Sequence, residues 1–376
     1  MKNSLSLVVL SAVLFAGCNG AAAPQTVKLG YMGPLSGDIA GLGADTLNGV
    51  RMAVAELNAA GGIGGKQIEL IAEDSRCNGA DAASAARKLV NVDKVVAIIG
   101  GQCSGETLAA APIAEAAHVV LLSPVSSSPD VTKAGDYVFR DYPSDALKGK
   151  AFGAYFAKAG FKKLAIISEN TDFCQGILTS VNANLPAGMT VVFNETVEPG
   201  TKDYRSLVTR LKGTDFDVFL ANGQSDSTVA EMAKQLRELG LKQQIVGTDV
   251  ADSVNLGKNA AEAVEGLKPL SIPTLTKTDA RAGAFVTQFE SAYGDPQYGS
   301  FFGAAAYDAT KVLAQTIGQV GTDGAKIKDA LYALKSYDGI IGTFSFDSNG
   351  DVKGVPFAMK QFKAGVLEQS ELIPLQ

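Results

Sequence analysis

The sequence has no tryptophan, a single histidine (His118), and charge on only 19 % of its 376 residues. One histidine excludes a metal site built from several imidazoles, and any serine–histidine dyad would have to use His118. His118 directly precedes an apolar run at 119–122, which favours a structural role for it. The net charge of −6 argues against nucleic acid as a partner, because binding phosphates needs a basic surface.

Catalytic and cofactor-binding motifs are also missing. The glycine-rich segment 61–67 is not a phosphate-binding P-loop, because Gln67 stands where that motif has Ser or Thr after the lysine. Its glycine spacing fails the dinucleotide fingerprint as well, and no G-x-S-x-G nucleophile elbow occurs in the chain. We therefore expect a protein that is not an enzyme and that holds no cofactor and no metal.

The N-terminus has the features of an export signal. The basic residue Lys2 precedes an apolar run at 5–17. This run is shorter than a typical transmembrane helix and has the length of the apolar region of a signal peptide. The run ends in two small residues, Ala16 and Gly17, directly before Cys18. This pattern resembles a bacterial lipobox, in which the cysteine becomes lipidated. We predict a signal peptide over 1–17 and a lipid-anchored tether over 18–26. Plain secretion after cleavage near 21–23, or retention as a membrane anchor, are the alternatives.

The rest of the chain alternates short apolar runs with helical patterns. Leu47, Val50 and Val54 recur at spacings of three and four, which places them on one face of a helix. Nearly continuous apolar runs suit parallel strands covered on both faces, and their alternation with helices predicts a doubly wound α/β fold. The predicted strands are 27–32, 67–72, 95–100, 119–123, 163–168, 190–197, 217–221 and 244–247.

Two lobes are expected from the order of these segments. The segments 27–142 and 143–268 each contain four or five strand–helix units. The closing part, with predicted helices at 276–293 and 300–320 and predicted strands at 340–346 and 355–362, looks incomplete by itself. We predict that this closing part of the chain passes back into both lobes and completes them. The predicted α/β lobes, each a doubly wound parallel sheet, are 27–142 with 269–343 (lobe 1) and 143–268 with 344–376 (lobe 2), joined by a hinge of several crossings.

Three cysteines follow Cys18 in the chain. Cys77 follows the second predicted strand and Cys103 follows the third, so both loops open at the same end of the sheet. In an exported protein the surroundings are oxidising, and we expect this pair to form a disulfide; two free buried thiols are the alternative. Cys174 has no basic residue or second thiol close in sequence, which favours a packing role over a reactive one.

Uncharged polar residues cluster where the predicted strands end, and ligands of open α/β sheets bind at that edge. Hydroxyls and helix N-termini suit a ligand carboxylate, and the isolated carboxylate of Asp249 suits a ligand ammonium. The combination fits a zwitterion, although serine and aspartate at such places also serve as ordinary helix caps. The polar segments are 102–106, 123–128, 168–173, 222–224 and 248–249.

A series of short motifs runs through the chain. They are KLGYMGPLSG at 28–37, AAGGIGGK at 59–66, ED at 73–74, IIGGQCS at 98–104, SP at 123–124, DY at 203–204 and FDSNGD at 346–351. Together they resemble the branched-chain amino-acid-binding proteins, which are extracytoplasmic receptors of ABC importers with the type I periplasmic-binding fold. The resemblance covers residues 27–365 and implies two lobes, three hinge crossings and the Cys77–Cys103 pair.

The resemblance also implies residues that bind the charged groups of an amino acid. Ser104 and Ser127 match positions that bind the ligand α-carboxylate, and so does the backbone around Val125. Asp249 matches an acidic residue that holds the α-ammonium.

Four further positions match the walls of the side-chain pocket. Phe173 and Gln224 stand where tyrosine is common in the family, and Leu42 stands where an aromatic residue is often found. Phe302, with Phe301 as the alternative, matches another wall position. These walls favour a branched-chain or other apolar amino acid, while Gln224 would offer a polar group.

The sequence thus predicts an extracytoplasmic substrate-binding protein of an ABC importer, which captures an amino acid by closing two lobes on it. Its expected partners are the amino acid, a membrane permease and, through Cys18, the membrane surface. We expect a monomer that binds no nucleic acid, in the periplasm or at the cell surface. A ligand-sensing receptor subunit of the same fold, or the same clamp binding a small amide or an aromatic carboxylate, are the alternatives.

Overall fold

The structure is a computed structural model and describes residues 26–373. The predicted signal peptide 1–17, the lipidation site Cys18 and nearly all of the tether 18–26 therefore lie outside the described residues. Among the residues that are described, no helix is both long enough and apolar enough to cross a membrane.

The first part of the chain alternates strands and helices and forms one parallel sheet in the order β2-β1-β3-β4-β5. Its helices lie on both sides of the strands, as expected from right-handed crossovers between parallel neighbours. The elements are β1 (Val27–Gly33), α1 (Ala40–Ala59), β2 (Ile68–Asp74), α2 (Gly79–Arg87), β3 (Ala97–Gly100), α3 (Ser104–Ala117), β4 (Val120–Ser123) and β5 (Val138–Arg140).

The middle part of the chain repeats this pattern. Its strands pair in parallel, and the two central runs 164–167 and 218–221 are completely buried on both faces of the sheet. The elements are α4 (Asp145–Ala159), β6 (Lys163–Glu169), α5 (Asp172–Ala183), β7 (Thr190–Val197), α6 (Arg205–Lys212), β8 (Val218–Asn222), α7 (Asp226–Glu238), β9 (Gln244–Gly247), α8 (Val254–Val264) and β10 (Lys268–Ser271).

The closing part contributes to both lobes. Two of its strands, β14 and β15, join the second sheet antiparallel, in the order β15-β14-β10-β9-β8-β6-β7, and three others form a small sheet of their own. The elements are α9 (Gly283–Tyr293), α10 (Ser300–Val320), α11 (Gly324–Tyr332), β11 (Tyr337–Gly339), β12 (Gly342–Phe346), β13 (Val352–Lys353), β14 (Phe357–Lys363) and β15 (Val366–Ile373).

The predicted fold class is confirmed: two α/β lobes are each built on a largely parallel sheet. The ten predicted strands are all present, whereas β5, β10, β11, β13 and β15 were not predicted. The predicted helix 276–293 is too long, since a turn in which Asp279 accepts the backbone N–H of Thr276 precedes α9. The chain passes between the two sheets after β5, after β10 and before β14.

The lobe boundaries drawn from the sequence stay a prediction, and two segments near them are placed by the structure. Strand β10 is hydrogen-bonded within the second sheet as far as Ser271. The segment after residue 344 contacts the first lobe, because Arg140 Nε lies 2.6 Å from Asp351 Oδ1 and the ring centroids of Phe139 and Phe346 are 5.3 Å apart.

Helices α1 and α10 pack together against the first sheet and carry two of the predicted pocket residues. Their backbones approach closely at Gly49 and Gly303: a Cβ atom on Gly49 would lie 2.0 Å from the Gly303 carbonyl oxygen. Only glycine fits such an approach. Leu42 precedes Gly49 in α1, Phe302 directly precedes Gly303 in α10, and both side chains are buried.

Candidate ligand-binding site

A small cavity lies between the two lobes, at the carboxyl ends of the strands. Ligands of open α/β sheets bind at this edge. All eight residues predicted to bind the ligand line the cavity: Leu42, Ser104, Val125, Ser127, Phe173, Gln224, Asp249 and Phe302. Five others line it as well: Ile39, Gln102, Cys103, Val250 and Tyr298.

The loop that follows β3 forms one wall of the cavity and is fixed by Glu106. The Glu106 carboxylate accepts the backbone N–H groups of Gln102 at 2.8 Å and Cys103 at 2.9 Å, and also that of Cys77 at 2.7 Å. Ser104 begins α3, so the positive end of the helix dipole lies at the cavity. The Ser104 hydroxyl accepts the backbone N–H of Ser128 and keeps its own proton to donate.

The disulfide between Cys77 and Cys103 is present, which confirms the expected pairing. It joins the loops after β2 and β3, and these strands flank β1 on either side. Cys174 is buried and forms no disulfide within the described chain, and burial raises the pKa of its thiol. A thiol in that state is inert, in agreement with the packing role.

The serine-rich segment after β4 divides into structural and cavity-facing residues. Ser123 and Ser126 donate to the carbonyl of Gly101 at 2.6 and 3.0 Å, and so they hold the segment against the loop after β3. Ser127 lines the cavity and donates to Asp145 Oδ2 at 2.9 Å. The sequence alone did not separate these two groups of serines.

Asp249 is not the isolated carboxylate that the sequence suggested. It accepts a hydrogen bond from the Tyr142 hydroxyl, and its Oδ1 lies 2.9 Å from Lys148 Nζ. Lys148 also lies 2.7 Å from Asp145 Oδ1, and its side chain has no exposure to solvent. With both carboxylates ionised and the lysine protonated, this cluster carries one net negative charge.

The pKa values in this cluster follow from burial and from the neighbouring charges. Burial alone would lower the pKa of Lys148, but the carboxylates of Asp145 and Asp249 hold it above its usual value. Burial, followed by the charge of Asp249, raises the pKa of Tyr142 well above its usual range. Both side chains therefore keep their protons and remain hydrogen-bond donors at neutral pH.

The second lobe closes the cavity with Phe173 and Gln224. Phe173 lies in the first turn of α5, and the centroid of its ring is 5.5 Å from Lys148 Nζ. The backbone N–H of Gln224 is held by Glu169, and its side-chain nitrogen lies 3.9 Å from the sulfur of Cys103 in the other lobe. These two residues thus meet the loop of the first lobe across the cavity.

The apolar wall of the cavity combines residues that are far apart in the chain, Leu42 and Phe302. Phe302 stacks on Tyr142 with ring centroids 5.9 Å apart. Phe302 lines the cavity, whereas Phe301 packs edge-on against Tyr142 and is not among the lining residues. Leu42 is 6 % exposed and adds an aliphatic surface to the same wall.

Tyr298 lines the cavity and was missed in the sequence. It precedes α10 in a loop without a recognisable motif, and its position is set by Asp45, which accepts the backbone N–H groups of Gln297 and Tyr298 at 2.8 and 2.9 Å. The other missed residues are direct neighbours of predicted segments or belong to them. His118 lies away from the cavity, where its ring stacks on Tyr137 at a centroid distance of 5.2 Å.

The two lobes are in contact across the cleft. Tyr298 donates from its hydroxyl to Asp226 Oδ1 at 3.0 Å, and the backbone N–H of Val254 donates to the carbonyl of Gln297 at 3.1 Å. An exposed ion pair joins Lys202 and Asp38 at 3.6 Å. The structure therefore shows the closed arrangement of the cleft.

The chain is similar to known binding proteins over nearly its whole length. A family model described as "Periplasmic binding protein" matches residues 26–365. The Leu/Ile/Val-binding protein of Citrobacter freundii is 30 % identical over 359 residues, covering 93 % of this chain and 96 % of that protein. The leucine-, isoleucine-, valine-, threonine- and alanine-binding protein of Pseudomonas aeruginosa is 29 % identical over 346 residues, covering 90 % and 91 %.

A solved structure agrees with these matches. The branched-chain amino acid transporter substrate-binding protein LivJ of Streptococcus pneumoniae, solved in complex with isoleucine, is 31 % identical, with a TM-score of 0.85. The similarity covers 93 % of this chain and 99 % of that structure. This chain therefore belongs to the periplasmic binding protein family, a family of binding proteins and not of enzymes, in agreement with the resemblance seen in its sequence motifs.

Proposed function

We propose that this protein captures a branched-chain or other apolar amino acid between its lobes and delivers it to the membrane permease of an ABC importer. The observation that carries the proposal is the arrangement of the cavity. Hydroxyls and a helix N-terminus lie on one side, a cluster with net negative charge lies on another, and apolar side chains fill the space between. Relatives that bind leucine, isoleucine and valine support the same ligand class.

The ligand carboxylate belongs on the first lobe. Ser104 keeps a hydroxyl proton to donate, and the N-terminus of α3 favours an anion. Ser127 and the backbone around Val125 lie on the same wall. The hydroxyl proton of Ser127 is engaged by Asp145, so the donor that Ser127 offers to the carboxylate is its backbone N–H.

The ligand ammonium belongs beside Asp249. A carboxylate that already has two protein donors has lone pairs left, because an ionised carboxylate accepts about four hydrogen bonds. The net charge of the cluster of Asp145, Lys148 and Asp249 becomes zero when one ammonium joins it. Lys148 thus fixes the carboxylate in place without cancelling its attraction for the ligand.

The ligand side chain belongs among Leu42, Phe173 and Phe302. These groups are almost fully buried and bring aliphatic and aromatic surface to one cavity. Each buried methylene group of a ligand gains about 0.8 kcal/mol in such surroundings. An aliphatic side chain of three or four carbons thereby contributes a large share of the affinity.

Closure of the lobes is part of the proposed function. Phe173, Gln224 and Asp249 come from the second lobe and complete a cavity that the first lobe only begins. A ligand that contacts both walls stabilises the closed form, and a shift from 1 % to 99 % closed needs a preference of about 5.5 kcal/mol. The permease would recognise this closed surface.

Isothermal titration calorimetry with leucine and two analogues tests the ligand class. We expect leucine, isoleucine or valine to bind, and 3-methylbutylamine and 4-methylpentanoate to bind at least 100-fold more weakly than leucine, because each lacks one charged group. A purified protein that binds none of the amino acids contradicts the proposal. Binding of 4-methylpentanoate or benzoate as tight as that of leucine favours the alternative of a carboxylate-binding clamp.

We also propose a two-lobe division that follows the predicted one except at two boundaries: strand β10 (Lys268–Ser271) belongs to lobe 2, and the segment 344–351 packs on lobe 1. A monomeric state and a lipid anchor at Cys18 complete the proposal. The apolar run before Cys18 and the small residues next to it support the anchor. Expression of the full chain and of Cys18→Ser, followed by fractionation, tests it. We expect the unaltered protein in the membrane fraction and the variant outside it; equal distribution of the two contradicts the anchor.

A further inference from the structure

Asp145 is the first residue of α4, directly after the chain crosses from the first lobe to the second, and its side chain is completely buried. It is not among the described residues that line the cavity, yet it contacts both proposed charged ends of the ligand site. We infer that Asp145 is a positioning residue for both ends: it holds Ser127 for the ligand carboxylate and, through Lys148, sets the charge that Asp249 presents to the ligand ammonium. The inference rests on the proposed function and adds to it a residue outside the cavity wall.

Two hydrogen bonds join Asp145 to Ser127 across the boundary between the lobes. The Ser127 hydroxyl donates to Asp145 Oδ2 at 2.9 Å, and the Asp145 backbone N–H donates to the Ser127 carbonyl at 2.7 Å. The next residue, Ser128, donates its backbone N–H to the Ser104 hydroxyl at 3.1 Å. The segment is therefore held from α3 on one side and from α4 on the other, so its peptide groups stay in place for the ligand carboxylate.

The other carboxylate oxygen of Asp145 acts on the ammonium end of the site through Lys148. Lys148 Nζ lies 2.7 Å from Asp145 Oδ1 and 2.9 Å from Asp249 Oδ1, so the two carboxylates share one buried cation. Without the charge of Asp145, Lys148 would neutralise Asp249 alone, and the ligand ammonium would meet a neutral pair. With that charge, the cluster keeps one net negative charge, and buried surroundings screen its attraction for an ammonium only weakly.

Helix α4 already has a cap without Asp145. The hydroxyl of Ser144 accepts the backbone N–H of Ala146 at 3.3 Å and so caps the first turn of the helix. A buried carboxylate is costly unless it is paired and hydrogen-bonded, and Asp145 meets this condition with Ser127 on one oxygen and Lys148 on the other. An ionised carboxylate accepts at both oxygens, so this residue type can serve both ends of the site.

Two uncharged variants separate the two contacts of Asp145. Asp145→Asn and Asp145→Ala both remove the charge, but only asparagine keeps an oxygen that can accept from Ser127. Neither variant leaves Lys148 without a partner, because Asp249 remains. The probes are the tightest binder among leucine, isoleucine and valine, and the carboxylate with the same side chain but no amino group, which is 4-methylpentanoate for leucine. Calorimetry, by competition where binding is weak, measures both affinities, and urea unfolding checks that each variant is folded.

In Asp145→Asn we expect the amino acid to bind about tenfold more weakly or worse, and the carboxylate to bind no more weakly than to the unaltered protein, because only the amino acid has an ammonium. In Asp145→Ala the carboxylate should bind about threefold more weakly than in Asp145→Asn, since Ser127 has lost its acceptor. The control is Asp81→Asn: Asp81 lies in the first turn of α2, is partly exposed and pairs with Arg76, and its replacement should leave both affinities unchanged.

The possible outcomes separate this inference from the proposed function. If Asp145→Asn weakens both ligands by the same factor, or does not weaken the amino acid, the role of Asp145 is merely structural and the inference is overturned, while capture of an amino acid stands. Equal affinity of Asp145→Asn and Asp145→Ala for the carboxylate overturns it as well, because the side chain then does not position Ser127. If none of the three amino acids binds the unaltered protein, the proposed function and the inference fail together.

Discussion

Lys148 Nζ lies 2.9 Å from Asp249 Oδ1, and both side chains are buried at the edge of the cavity. The contact joins α4, which directly follows the first crossing between the lobes, to the end of β9, 101 residues further along the chain. A lysine without exposure to solvent needs negative partners, and here it has two. The end of the cavity proposed to bind the ligand ammonium is thus also a structural ion cluster.

Replacement of Asp249 by asparagine should weaken amino acid binding by more than tenfold. The change keeps the shape of the side chain but removes one negative charge, so the cluster with Asp145 and Lys148 becomes neutral before the ligand arrives. Titration calorimetry with the best-binding amino acid measures the effect. Asp215→Asn, at an exposed position, serves as the control. Equal affinity of Asp249→Asn and the unaltered protein would contradict the role of Asp249.

Replacement of Lys148 by methionine should lower the free energy of unfolding by about 3–5 kcal/mol, because it leaves two buried carboxylates without their cation. Lys158 lies on the same helix and forms an exposed pair with Glu371. Lys158→Met should cost no more than about 1 kcal/mol, as exposed pairs do. Urea unfolding of both variants measures the difference; similar losses in the two would show that the buried cluster contributes little.

Removal of the Tyr298 hydroxyl should weaken ligand binding several-fold and leave the unfolding of the ligand-free protein nearly unchanged. Tyr298→Phe keeps the ring in the cavity wall but loses the bond to Asp226 across the cleft. Asp226 keeps its hydrogen bond from Ser253, so no carboxylate is left without a partner. The exposed Tyr293 provides the control variant Tyr293→Phe. Calorimetry measures the affinity of both variants for the ligand. Equal affinities of Tyr298→Phe and Tyr293→Phe would exclude a contribution of the Tyr298–Asp226 bond to closure.

The stability of the protein should fall as the pH rises from about 4 to about 7, in part because of Asp45. Burial raises the pKa of Asp45 to about 7 from its usual value of 3.8, despite two backbone hydrogen bonds that lower it. In this range the folded state binds more protons than the unfolded state, so each pH unit costs up to about 1.4 kcal/mol per such group.

The variant Asp45→Asn isolates this contribution. Its free energy of unfolding, measured in urea at several pH values, should change less steeply between pH 4 and 7 than that of the unaltered protein. Asp329→Asn, at an exposed position, should keep the original slope. A slope that Asp45→Asn leaves unchanged would mean that the Asp45 carboxyl has the same pKa in the folded and unfolded chain.

Much of the fold was predictable because its central strands are continuous apolar runs. Those runs reach from one buried end of a strand to the other, as in Leu164–Ile167 of β6, where every residue is fully buried. Five strands were not predicted, and two of them show opposite reasons. β5 has three residues, too few for a pattern, and β15 is largely exposed and polar, so its pairing with β14 decides its structure.

The candidate site was predictable where a family motif carried it, and not where it depends on contacts distant in the chain. Ser104 and Ser127 lie in segments with characteristic motifs. Lys148 was not predicted, because nothing in its sequence neighbourhood marks it as a partner of Asp249. Tyr298 was missed for the same reason, since Asp45, which holds it, lies more than 250 residues away in the chain.

The close approach of Gly49 and Gly303 sets the width of the apolar pocket. One helix carries Leu42, the other carries Phe302, and their spacing is fixed by a backbone contact that leaves no room for a Cβ atom. The width of the proposed pocket is therefore set about two turns away from Leu42, by two glycines that are not among the residues lining the cavity. A relative that has alanine at position 49 would hold its two walls further apart and accept a bulkier amino acid without any change in the residues that line the pocket.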